Sequence, residues 1–172
     1  MAFAHLAKRE GALNVTDAEF LARFQMVCFE KPTDQVHTGW AEDKMNAAAH
    51  AVKSVRPEVC ALCYINGLLD FTGPGTNFSL HRKAAALGLL WPPLHANWST
   101  FDVTDQRMRV LLVDECLNST DARDGPFDGC FVDRANFGRQ MLADFRANGR
   151  TPPGFTPQMV SALPPAQALL LQ

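Results

Sequence analysis

Short, nearly unbroken apolar runs alternate along this chain with longer stretches whose apolar residues recur every three or four positions. The first pattern belongs to strands covered on both faces, the second to amphipathic helices packed over them. Residues 24–29 (FQMVCF), 59–65 (VCALCYI), 98–103 (WSTFDV) and 127–132 (FDGCFV) are the strand candidates. Residues 41–55 are rich in good helix formers and closed by Pro57. Residues 80–90 predict a short helix. Residues 105–117 predict another, with Thr104 as N-cap and Met108, Leu111, Leu112 and Cys116 along one face. A last helix is expected over 137–147, ended by Asn148-Gly149. Residues 1–22 read as a leading helix whose second half Thr16 or Asp17 could cap.

Strands that alternate with helices imply βα units, right-handed crossovers and a parallel sheet, so the expected class is α/β. The chain divides into a helical lead-in over 1–22 and a βα domain over 23–172. The segment after residue 150 is proline-rich and closes on Leu-Leu-Leu-Gln with no strand behind it. A helix ending on an apolar run has something left to pack against, so this end is expected not to be a natural domain boundary.

Composition narrows the function classes. The 172 residues are 47% hydrophobic and 20% charged, with a net charge of −2. That fits a folded domain and gives no basic patch for nucleic acid. No apolar run approaches the roughly 20 residues that span a bilayer. The opening MAFAHLAKREG is charged too early for a signal peptide. Of the eight asparagines, four (Asn14, Asn77, Asn97 and Asn118) stand in N-x-S/T. Chance predicts roughly one such site, so the pattern hints at a secretory glycoprotein and leaves the compartment open. Of the five cysteines at least one has no partner within the chain. Cys60 and Cys63 match CxxC, but mid-strand they point to opposite faces and make a poor metal or redox pair. No HxH, HExxH, GxGxxG, GxxxxGK[ST] or GxSxG occurs, so neither a metal nor a cofactor is expected.

Candidate chemistry lies at strand ends. In parallel βα folds the carboxyl ends of the strands surround one mouth. Here those positions hold Glu30 and Lys31, Tyr64 and Asn66, Asp102, and Asp133 with Arg134. Asp70 lies in the loop 66–77, which carries three glycines and Pro74. Asp128 and Asp133 bracket one strand, about 16 Å apart at about 3.3 Å per residue, and cannot share a substrate bond. Asp128 precedes a glycine at the amino end and reads as turn chemistry. Asp133 faces the mouth; its structural alternatives are a helix cap or a salt bridge to Arg134 or Arg139.

Three segments in this order resemble the TIM-barrel glycoside hydrolases, the broad group that includes polygalactosaminidase-like proteins. They are Asn66-Gly-Leu-Leu-Asp70-Phe after a strand ending in Tyr64, Phe101-Asp102-Val103-Thr104 before a helix, and Phe127-Asp128-Gly129-Cys-Phe-Val-Asp133. The resemblance covers residues 24 to 147. It implies parallel units of a (β/α)8 barrel, a carbohydrate substrate, and Asp133 as the acidic residue of the fourth strand, often the nucleophile. Tyr64, Asn66, Asp70, Asp102 and Arg134 would line the sugar site. Glycoside hydrolysis needs a second carboxyl group, and Glu30 is the one the chain offers. A full barrel takes about 250 residues, so four strands correspond to its first half, whose open sheet edges invite self-association. Two other readings stay open: a non-catalytic α/β domain that binds sugar or protein, with Tyr64, Trp91 and Trp98 as stacking surfaces, and another small enzyme using Glu30 and Asp133 as an acid/base pair.

Overall fold

The computed structural model describes residues 2–8, 10–34, 37, 39–72, 78–95, 98–103, 105–119 and 125–133. In chain order they form β1 (Phe3–Leu6), α1 (Val15–Leu21), β2 (Met26–Phe29), α2 (Ala41–Val55), β3 (Cys60–Asn66), β4 (Leu69–Asp70), α3 (Ser79–Ala86), β5 (Leu90–His95), β6 (Trp98–Phe101), α4 (Gln106–Ser119) and β7 (Gly129–Asp133). The residues group into two compact units. One holds the described residues of 1–65, 72–79 and 114–131, the other those of 66–71, 80–113 and 132–133.

The main sheet has four parallel strands in the order β1-β2-β3-β7. Phe3 pairs with Met26, and Met26 with Cys60. β7 joins β3 through Asp128 N–H to Ala61 O at 2.8 Å and Gly67 N–H to Asp133 O at 3.0 Å. Val27, Cys28 and Phe29 are fully buried and β3 is nearly so, as their unbroken apolar runs require. α2 lays a stripe of Ala41, Met45, Ala48, Ala49 and Val52 against β2 and α1. Small alanines let these elements approach closely. Glu42 and Asp43 in its first turn and Lys53 in its last complement the helix dipole.

In a flat sheet β1 and β7, three places apart, would lie about 14 Å from one another. Yet the Phe131 ring on β7 is 6.4 Å from Phe3 and 5.7 Å from His5 on β1. Side chains from the first and last strands of the sheet thus converge on one face.

Several expectations are corrected. Residues 1–22 are not one helix: Phe3–Leu6 is a strand at the sheet edge. The helix that follows is capped by Asn14, whose side chain accepts from Asp17 N–H while Asp17 accepts from Asn14 N–H. Asp17 thus closes a capping box from inside the helix. The strand at residues 98–103 exists, but β6 belongs to a separate three-stranded sheet, β4-β6-β5, with antiparallel pairing to both neighbours. Among the described residues the parallel sheet has four strands, with β1 among them rather than residues 98–103. The helix from residue 80 ends at Ala86, and a turn with Gly88 at φ +68° leads into β5. Thr104 and the helix 137–147 lie outside the described residues. At α4 the cap contact comes from Asp105, whose Oδ1 accepts from Arg107 N–H at 2.8 Å. Cys116 and Cys130 are joined as a disulfide from α4 to β7, while Cys28, Cys60 and Cys63 are outside any disulfide. Among the described residues no helix is long and apolar enough to cross a membrane.

Candidate functional site

β2 ends at Phe29, which places Glu30 beyond the sheet edge, where its N–H donates to Leu6 O at 2.9 Å. His5 Nε2 lies 2.9 Å from Glu30 Oε1, and Lys31 Nζ lies 3.2 Å from Oε2. Each carboxylate oxygen thus has a nitrogen partner, so giving up a proton to a substrate would require one contact to break. The Lys31 ammonium stands 4.0 Å over the Tyr64 ring. Tyr64 also stacks with His5 and Phe131 at 6.0 and 6.2 Å. At 4% exposure Tyr64 has too little open ring for a sugar to stack on, so it is a support beneath Lys31 and His5 rather than a platform.

β3 ends at Asn66, which is 7% exposed, and its amide is locked. Oδ1 accepts from Leu68 N–H at 3.1 Å and from Leu69 N–H at 2.6 Å. With the oxygen held by two backbone donors, Nδ2 turns the other way and donates to Asp133 Oδ2 at 3.2 Å. The amide orientation follows from the donors and needs no separate assumption. Gly67 makes the approach possible: a Cβ there would meet Val132 Cγ1 at 3.3 Å and Asp133 O at 3.4 Å. Two strand-end residues named from sequence are thus brought together, 67 positions apart in the chain.

Asp70 is 3% exposed, and its Oδ2 is paired with Nδ1 of His81 on α3, a ring that is about one-third exposed. A carboxylate on one ring nitrogen fixes the tautomer and aims the other nitrogen away. Sequence reasoning passed over His81, because a lone histidine on a helix carries no spacing signal. Asp102 does not share the parallel-strand ends. It follows antiparallel β6, with its N–H donating to Leu89 O at 2.9 Å and its charge near Arg107. Arg134 lies outside the described residues. Asp128 is structural: Oδ2 accepts from Ala61 N–H at 2.8 Å and pairs with Lys53 Nζ at 2.7 Å. Among the described residues, no three His, Cys, Asp or Glu side chains converge as metal ligands.

No protein-family model and no curated protein matches the chain. Solved structures do. The glycoside hydrolase domain of PelA from Pseudomonas aeruginosa aligns with a TM-score of 0.54 at 13% identity, over 99% of this chain and 52% of that one. A variant of the same domain aligns with the same figures. The chain therefore has a glycoside-hydrolase-like fold and spans about half the length of that domain.

Proposed function

We propose that the chain binds carbohydrate through Asp133, as part of a (β/α) barrel of the glycoside hydrolase type. The observation that carries this is the Asn66–Asp133 pair at the carboxyl ends of two adjacent parallel strands. A carboxylate with one oxygen held by a locked amide is oriented before any ligand arrives, and preorganisation of this kind is what a strand-end nucleophile or oxocarbenium stabiliser needs. The fold neighbours support the carbohydrate class, and the convergence of β1 and β7 rings supports barrel-type curvature. Asn66 positions Asp133, and the Asp70–His81 pair belongs to the same unit and lines the site in this reading. Arg134, next in sequence, is assigned as a substrate contact.

Hydrolysis would need a second carboxyl as proton donor, about 5 to 5.5 Å from the first in a retaining enzyme and further in an inverting one. Glu30 takes that role only after release from His5 or Lys31. Its ion-paired state favours the second reading, a domain that binds sugar without cleaving it. Calorimetric titration with oligosaccharides tests both. Wild type should bind, and Asp133→Asn should bind at least tenfold more weakly with unchanged melting temperature. Equal affinity in the two proteins would remove Asp133 from the site. Release of reducing ends by wild type would separate the enzyme from the binding domain.

A further inference from the structure

The loop from β2 to α2 borders a cavity of about 350 Å³, within the range of small-molecule sites, and none of Glu30, Tyr64, Asn66, Asp70, Asp102 or Asp133 lines it. Its floor is apolar, supplied by the alanine side of α2. Its polar wall consists of Asp34, Asp43 and Lys44, and Trp40 stands beside them. The wall is built rather than incidental. Asp34 adopts the left-handed conformation at φ 54°, a state aspartate tolerates better than most residues and that its local contacts hold in place. These contacts are visible: Asp34 N–H donates to Lys8 O at 2.7 Å, and Asp34 Oδ1 lies 2.6 Å from His37 Nδ1. The carboxylate is 8% exposed. Lys44, 9% exposed, donates from Nζ to His37 O, which fixes the ammonium in the wall. Trp40 is 36% exposed and Asp43 is exposed.

The chemistry of these groups selects a ligand. A simple anion would meet two carboxylates against one ammonium. A purely apolar ligand would cover the exposed Asp43 carboxylate without giving it a new partner, which is costly. A polyhydroxylated ring suits every wall. Vicinal hydroxyls donate to carboxylate oxygens, an ammonium donates to a ring or hydroxyl oxygen, and the C–H face of the ring lies against an indole. We propose that this cavity is a saccharide subsite for one neutral pyranose unit, with Trp40 as platform and Asp34 and Asp43 as hydroxyl acceptors. The assignment rests on the carbohydrate reading above and adds to it a second point of attachment.

The test is calorimetric titration of the full chain with neutral hexasaccharides of xylose, glucose and mannose, together with quenching of tryptophan fluorescence. Trp40→Ala should weaken binding of the preferred hexasaccharide at least fivefold and abolish most of the quenching. Asp43→Asn should weaken it less, and Trp40→Phe should retain most affinity, which separates loss of the platform from a folding defect. Wild-type affinity in Trp40→Ala, with binding lost only in Asp133→Asn, would overturn the subsite and leave the Asp133 reading standing. Wild type that binds none of the three sugars would overturn both.

Discussion

Replacing Asn66 by aspartate keeps the shape of the side chain and inverts one interaction. The new carboxylate still accepts from Leu68 and Leu69 N–H, but an oxygen replaces the Nδ2 that stood 3.2 Å from Asp133 Oδ2. Two unit charges centred about 4 Å apart repel by about 4 kcal/mol at an effective dielectric of about 20. The pair can escape by holding one proton. At pH 7 that costs about 4 kcal/mol, three units above the reference carboxylate value at about 1.4 kcal/mol each, and at pH 5 only about 1.5 kcal/mol. Partial exposure of Asp133 screens the repulsion, so the expected loss is about 2–4 kcal/mol at pH 7, shrinking to under about 1.5 kcal/mol at pH 5. Asn66→Ala, in contrast, strips the acceptor from two buried N–H groups, each worth about 1–3 kcal/mol, and its loss should not depend on pH. Urea unfolding of both variants at the two pH values measures this. An Asn66→Asp protein as stable as wild type at pH 7, or equally destabilised at both pH values, would refute the locked-amide geometry.

Other consequences follow from the same structure. Reduction of Cys116–Cys130, or Cys130→Ser, opens a loop of sequence separation 14 and should cost about 3 kcal/mol on the chain-entropy account. Urea midpoints with and without reductant check it, and unchanged midpoints would contradict it. Burial pushes the Glu42 carboxyl up, and the Glu115 charge adds to this, against the hydrogen bond from the Ser79 N–H. The folded protein thus holds that proton more tightly than the unfolded chain. This share of stability is complete below the ordinary glutamate value and is lost as pH rises through the raised one. Glu42→Gln should therefore flatten the fall in melting temperature between pH 5 and 8, and a profile identical to wild type would count against the assignment.

The strand-end chemistry was legible where it depends on one residue and its place on a strand. Asp133 and Asn66 were both identifiable because an apolar run ending on a polar residue marks a carboxyl end. Their mutual contact was not, since it joins positions 66 and 133 and depends on strand order. β1 escaped notice because four residues, FAHL, sit in a context of good helix formers, and pairing with β2 overrides local propensity. β6 was found but placed in the wrong sheet. Its partner β5 contains Pro92 and Pro93, which mask a strand, and alternation does not distinguish parallel from antiparallel pairing. Tyr64 looked like a platform because strand position says nothing of what covers a ring. His81 acquires meaning only from Asp70, 11 residues earlier and buried beneath it.

The central claim is that Asp133 meets sugar. A crystal structure of the chain with a bound oligosaccharide tests it most directly. The account predicts a sugar oxygen or anomeric carbon within about 2.6–3.2 Å of the Asp133 carboxylate, with the Asn66 contact retained. An oligosaccharide bound elsewhere, with Asp133 touching only protein, would contradict it.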